Sequence, residues 1–214
     1  MSFESRSLHL GPLDNNTYLV ICRDTRETAV LDVGFEPEAV IDTLKSEELP
    51  LRYLLNTHAH YDHVCGMRAL QQAYPVEYWL HPADRILLDH LSEQGAAFGL
   101  PPAEPPLHPR DLADGQMITL CGERIEVIHT PGHSPGGVCF RHGDWLISGD
   151  TLFAGSIGRT DLPGGSFEQL ERVIRERLFV LGDAVHVYPG HGPETTIGEE
   201  RMHNPFVGEN ARFA

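Results

Sequence analysis

Apolar and polar positions fall into runs whose period changes along the chain, and the period predicts the element. Residues 16–23 (NTYLVICR) and 28–32 (TAVLD) are β-rich runs joined by a short polar turn, which predicts a hairpin. Residues 37–48 place Val40, Ile41 and Leu44 at helical spacing, with acids in the first turn. Residues 51–56 predict a short buried strand, and 64–74 a helix stopped by Pro75. Residues 76–80 predict another strand, and 82–91 a helix with Pro82 near its start. Residues 95–115 break this rhythm with Pro101, Pro102, Pro105, Pro106 and Pro109. Such a long loop is either a lid or binding loop, or a passive surface excursion.

The second half repeats the rhythm. Residues 117–120, 123–129, 137–141 and 145–148 predict strands separated by Gly or Pro turns. Residues 167–181 predict a helix, with Leu170, Val173, Ile174 and Leu178 on one stripe. Residues 184–188 predict a last strand, and 196–203 a short helix stopped at Asn204-Pro205. Strand runs followed by helix-plus-strand units predict two sheets packed face to face with helices outside.

Composition changes this picture in one respect. A length of 214 residues suits one domain with a single core. Sixteen basic against 31 acidic side chains give a net charge of −15, which argues against a nucleic-acid track and against an anionic membrane surface. No apolar run approaches the ~18 residues that a membrane span needs. The first 13 residues lack the basic-then-apolar pattern of a signal peptide. Cys22, Cys65, Cys121 and Cys139 form no C-x-x-C pair, and the expectation is four reduced thiols in a cytoplasmic protein. The unusual count is histidine, at 13. Histidine is the commonest metal ligand, so an acidic, His-rich chain points to divalent cations.

The candidate chemistry starts directly after the strand at 51–56, in Thr57-His58-Ala59-His60-Tyr61-Asp62-His63. In extended backbone, residues two apart face one side, so His58 and His60 can chelate one ion together. Asp62 and His63, at a helix start, diverge, and four donor residues in six positions suit two neighbouring metals. His133 follows the strand at 123–129, Asp150 the strand at 145–148, and His191 the strand at 184–188. Each stands next to a glycine that permits close backbone approach. Sites gather at strand ends of sheets flanked by helices. Nitrogen and carboxylate donors without thiolate favour zinc, iron or manganese, and Asp150 can bridge two ions.

Other polar residues carry weaker signals. Gly132-His133-Ser134-Pro135-Gly136 fits the G-x-S-x-G pattern, but a strand follows it and Pro135 has no N–H for an oxyanion hole, so Ser134 is no nucleophile. Cys65 is expected to be a small buried filler, His129 structural, and His81 and His108 surface residues.

The His-x-His-x-Asp-His motif with His133, Asp150 and His191 following in order resembles the metallo-β-lactamase fold over nearly the whole chain. The resemblance implies an α+β fold, an αββα four-layer sandwich, with a dinuclear site at its edge. His58, His60 and His133 would hold the first metal, Asp62, His63 and His191 the second, and Asp150 would bridge them. Zinc is the first expectation, with iron or manganese next. Secreted lactamases usually have Cys where Asp150 stands. The segments 149–155 (GDTLFAG) and 204–206 (NPF) are instead similar to short glyoxalase II, the hydroxyacylglutathione hydrolases. In that group a Gly-Lys or Gly-Arg contacts glutathione, which makes Arg159 a substrate-binding candidate, its other role being a salt bridge to Asp161. Asp161 and Pro193 depart from the group's aromatic and tyrosine, and its C-terminal helical domain has no counterpart before Ala214.

The resemblance therefore implies a metal-dependent hydrolase that cleaves a small-molecule thioester such as S-lactoylglutathione. A hydroxide bridging the metals would attack, with Asp62 orienting it, in a monomer or homodimer. Gly158-Arg159-Thr160-Asp161 also resembles the iron-dependent persulfide dioxygenases. Lactone hydrolysis is a third reading.

Overall fold

The computed structural model describes residues 3–212. Six strands build the first sheet: β1 (Phe3–Leu10), β2 (Asn15–Cys22), β3 (Thr28–Leu31), β4 (Leu51–Leu55), β5 (Glu77–Leu80) and β6 (Arg110–Asp111), in that spatial order. β1, β2 and β3 pair antiparallel, and β3 through β6 run parallel. The second sheet takes β7 (Met117–Leu120), β8 (Glu123–His129), β9 (Val138–His142), β10 (Trp145–Gly149), β13 (His186–Pro189) and β14 (Thr195–Thr196). Its first four strands are an antiparallel meander, and β10 and β13 are parallel. β11 (Leu152–Phe153) and β12 (Ser156–Ile157) form a separate hairpin.

All eight residues of β2 are buried, because each of its faces meets a different layer. Tyr18, Val20 and Cys22 point between the sheets, towards Val127, Phe140 and Ile147. Leu19 and Ile21 point outward, beneath α1 (Pro37–Ser46) and α3 (Met67–Ala73), through Val40, Leu44, Met67 and Leu70. On the far side Cys139, Leu146 and Val187 pack under α6 (Phe167–Val173), through Leu170. Three apolar cores thus alternate with the two sheets, giving the αββα order that the pattern predicts.

Several boundaries differ from the periodic reading. The helix expected at 64–74 is two, α2 (Tyr61–Val64) and α3, because the backbone of Gly66 packs on that of Gly34 and leaves no room for a Cβ. Past the 3₁₀ turn Pro82–Asp84 come α4 (Arg85–Asp89) and α5 (Leu91–Ala97), so the helical region extends beyond 91. The Pro-rich segment begins after α5 and includes β6. Tyr61 donates to its Pro101 carbonyl, and Gln71 exchanges hydrogen bonds with Leu107. The stripe at 167–181 continues from α6 through a π turn, Ile174–Leu178, into a 3₁₀ turn, Phe179–Leu181. α7 (Ile197–His203) starts with a Thr196 side-chain cap.

The expectation of four free thiols is corrected. Cys22, at the end of β2, and Cys121, in the β7–β8 turn, form a disulfide between the sheets, while Cys65 and Cys139 are free. The two cysteines are 99 residues apart in sequence, a separation at which only the topology reveals the pairing. Among the described residues no helix is long and apolar enough to cross a membrane.

Candidate metal centre

Each candidate donor lies just past the C-terminal end of a strand, and the two sheets bring those ends to one rim. β4 leads to His58, His60, Asp62 and His63, β8 to His133, β10 to Asp150, and β13 to His191. Backbone bonds stitch the sheets here: Val138 N–H donates to the Thr57 carbonyl, and Asn16 N–H to the Gly190 carbonyl, both at 2.8 Å. Glycine is required where these segments cross. A Cβ on Gly190 would overlap Asp150 and His63, and one on Gly158 would overlap the Asp150 carbonyl.

All seven residues meet. His133 Nε2 is 2.8 Å from His60 Nδ1 and 3.3 Å from His58 Nε2. His191 Nε2 is 3.3 Å from His63 Nε2 and 3.2 Å from Asp62 Oδ2. The two groups of three, His58–His60–His133 and Asp62–His63–His191, each converge on a common point. Asp150 stands between them, with Oδ1 3.3 Å from His63 Nε2, and Oδ2 3.5 Å from His133 Nε2 and 3.6 Å from His191 Nε2.

The rings are held from behind. His133 Nδ1 donates to the Arg159 carbonyl at 2.8 Å, and His191 Nδ1 to the Leu13 carbonyl at 3.0 Å. His63 Nδ1 faces Asp32 Oδ2 at 3.2 Å, and His58 Nδ1 donates to the Thr57 hydroxyl, which itself donates to Asp32. This network fixes the tautomer that leaves Nε2 as a bare donor. Asp32 also takes the Thr57 N–H and the Asn56 amide, so its oxygens orient the site instead of offering a ligand. Asp84 works similarly one layer out, accepting from Ala59 N–H, Ser134 Oγ–H and Gly136 N–H. Asn15 donates to Asp62 at 3.0 Å.

The electrostatics fit cations. Burial, with help from the neighbouring rings, pushes His58 well below its ordinary value, and burial with His133 pushes His60 down to about 3. Both rings are neutral at any ordinary pH. Burial opposes ionisation of Asp150, yet His63, His133 and His191 hold it at about 2. Asp62 is likewise driven below the usual carboxylate range by His63, His191 and Asn15, against its burial. Burial would push His63 down too, but Asp150, Asp62 and Asp32 raise it well above its ordinary value. Those carboxylates favour a positive charge at this place, which a bound cation would supply. Asp150 Oδ1 is buried and has no hydrogen bond, and bare imidazole nitrogens face each other at 3.3 Å. Such facing acceptors repel unless a cation lies among them.

The site opens into a cavity of about 510 Å³, walled by Leu13, Phe98, Leu100, Phe153 and Leu162 beside the donors. Arg159 lines it as well and makes a two-pronged ion pair with Asp161, 2.8 Å at each prong. Ser134 is fully buried on Asp84, in keeping with its rejection as a nucleophile. Cys65 packs against the first core only partly buried. His108 is exposed, but His81 is half-buried, stacked on His129 at 4.1 Å. Sequence reasoning missed Asp32, Asp84 and Asn15. Asp32 carried a usable signal, since it ends a strand two residues before Gly34, as the ligand-bearing segments do. Asp84 and Asn15 carried none.

The chain is 38% identical over 196 residues to hydroxyacylglutathione hydrolase GloC of Haemophilus influenzae, a match spanning 90% of this chain and 92% of that protein. The structure of the B3 metallo-beta-lactamase BLEG-1 superposes with a TM-score of 0.87 at 36% identity, covering 95% of this chain and 99% of the other. TTHA1623 in a di-iron-bound form gives 0.86 at 40%, covering 94% and 99%. ETHE1 from Myxococcus xanthus gives 0.81 at 26%, covering 98% and 86%. The family model of the metallo-beta-lactamase superfamily matches residues 10–191, a span that holds every donor described above. The chain belongs to the metallo-β-lactamase superfamily, and it is a metal-dependent hydrolase of that family.

Proposed function

We propose that the protein hydrolyses a small thioester of the hydroxyacylglutathione type at a dinuclear centre. The observation that carries this is Asp150, one carboxylate set between two converging groups of three donors. His58, His60 and His133 would hold one ion, Asp62, His63 and His191 the other, and Asp150 both. Zinc fits the nitrogen and carboxylate donors, and iron fits them too, as in the di-iron form of TTHA1623. When bound, the ions supply Lewis acidity and lower the pKa of water enough to give a nucleophile at neutral pH.

The chain's own residues do the rest. Asp62, locked by Asn15 and His191, orients the attacking water. Leu13, Phe98 and Phe153 give the approach to the donors an apolar wall against which a substrate would lie. Arg159 can exchange Asp161 for a substrate carboxylate, since that ion pair is exposed and weak. A thiolate leaves readily because its conjugate acid has a pKa near ~8.5, so no general acid is needed. The likeness to GloC supports the glutathione thioester.

Persulfide dioxygenation is the second reading, favoured by the likeness to ETHE1. It employs two histidines and one aspartate, and leaves the other donors without an ion. One paired assay on the purified protein decides: metal stoichiometry with S-lactoylglutathione hydrolysis, against oxygen uptake on glutathione persulfide. Two ions per chain with hydrolysis and no oxygen uptake is the expected result. Oxygen uptake with sulfite formation overturns it.

A further inference from the structure

A second cavity of about 490 Å³ adjoins the first and shares His60, Gln94, Phe98 and Leu162 with it. It runs between α4–α5 and the loop at 162–164, and Ile86, Leu87, Ala97, Pro135 and Pro163 complete its wall. No lysine or arginine lines it, and its ionisable groups are His60, His90 and Glu93, the last two 3.9 Å apart. The Gln94 amide nitrogen is engaged by the Ala59 and Leu87 carbonyls. Ile86 is 55% and Phe98 59% exposed, large apolar side chains left open to water at this spot. Surface of that kind marks a place where something apolar binds.

We infer that this cavity is an acyl-chain arm: the thioester the protein cleaves carries an unbranched hydrocarbon acyl group, which lies along Ile86, Leu87 and Phe98 while the carbonyl sits at the donors. The inference rests on the thioesterase reading above and names its substrate class. Three observations fix the occupant. The arm is continuous with the reactive cavity through His60, so its ligand is part of the substrate. It offers no cation, so an anionic thiol carrier has its partner on the Arg159 side and not here. Its volume leaves room for a chain of several carbons, where a lactoyl group would leave it open.

The test has two parts. First, kcat/KM is measured on the metal-loaded protein for acetyl-, butyryl-, hexanoyl- and octanoylglutathione. Each added methylene is expected to raise it about fourfold until the arm is filled. Second, calorimetry compares the uncleavable thioethers S-methyl- and S-octylglutathione, the octyl compound binding at least tenfold tighter. Ile86→Glu collapses both preferences. Val180→Glu, an exposed apolar position lining neither cavity, leaves both intact. Equal cleavage across the series, or equal binding of the two thioethers, overturns the arm and leaves thioester hydrolysis standing. No cleavage of any member, with the octyl preference present and lost in Ile86→Glu, overturns thioester hydrolysis and keeps the arm.

Discussion

Asp84 and Ser134 are joined at 2.8 Å across 50 residues of chain, and the oxygen that accepts Ser134 Oγ–H also accepts Ala59 N–H at 3.0 Å. One buried carboxylate thus ties the residue between His58 and His60 to the residue after His133. Asp84→Asn turns one acceptor into an NH2 that faces donors, and leaving one buried donor unsatisfied costs about 1–3 kcal/mol. The expected outcome is a 10–100-fold weaker first ion, the usual scale for residues that orient ligands. Competition with a chelator measures it, and wild-type affinity in this variant would falsify the role.

Asp150→Ala removes the oxygen facing both donor groups, so bound metal and turnover fall together. Elemental analysis beside the hydrolysis assay checks it. Full activity in a metal-depleted variant refutes the dinuclear scheme.

Gly190→Ala places a Cβ on Asp150 Oδ1 and His63 Cε1. A single methyl group here is expected to abolish metal loading, whereas Gly115→Ala, with open space around the added carbon, costs only backbone strain and leaves loading unchanged. Metal stoichiometry of the two variants separates site geometry from general fragility.

Removing the ions leaves facing imidazoles and buried carboxylates without their counter-charge. Restoring metal at about a thousandfold over Kd stabilises the folded state by about 4 kcal/mol. In a chain of this size that raises the Tm by roughly 10 °C. A thermal scan with and without chelator reads it, and an unchanged Tm refutes binding at the buried donors.

Titration with a thiol reagent in denaturant is expected to find two thiols, and four after reduction, from the Cys22–Cys121 pairing. In the native protein Cys139 stays silent at pH 8. Burial pushes its thiol up to about 11, so the thiolate is scarce and its labelling rate climbs about tenfold per pH unit towards that value. A disulfide typically stabilises by about 2–4 kcal/mol, so reduction lowers the Tm by several degrees.

Much of this was legible in the pattern because period and burial coincide. Residues 117–120 and 123–129 are strands to the residue: the first alternates cleanly between a core face and a wetter one, and the second carries a β-rich apolar run between two turns. The donors were legible because strand-end histidines beside glycine have a local signature. What escaped is non-local. The break at Gly66 depends on Gly34, the disulfide on the register of two sheets, and Asp84 on a partner 50 residues away. The short hairpin β11–β12 escaped for another reason: two-residue strands have no period to read.

The donors are divided across the seam between the sheets. Four hang from β4 of the first sheet, and three from β8, β10 and β13 of the second. Neither sheet alone can close a pair of three-donor sets. Filling both of those sets would therefore require the two sheets to have docked. Any ion captured in this way acts as a rivet at the rim, opposite the Cys22–Cys121 bond at the other end of β2. A change that splays the sheets, however far from the rim, is then felt first as a protein that has lost its metal.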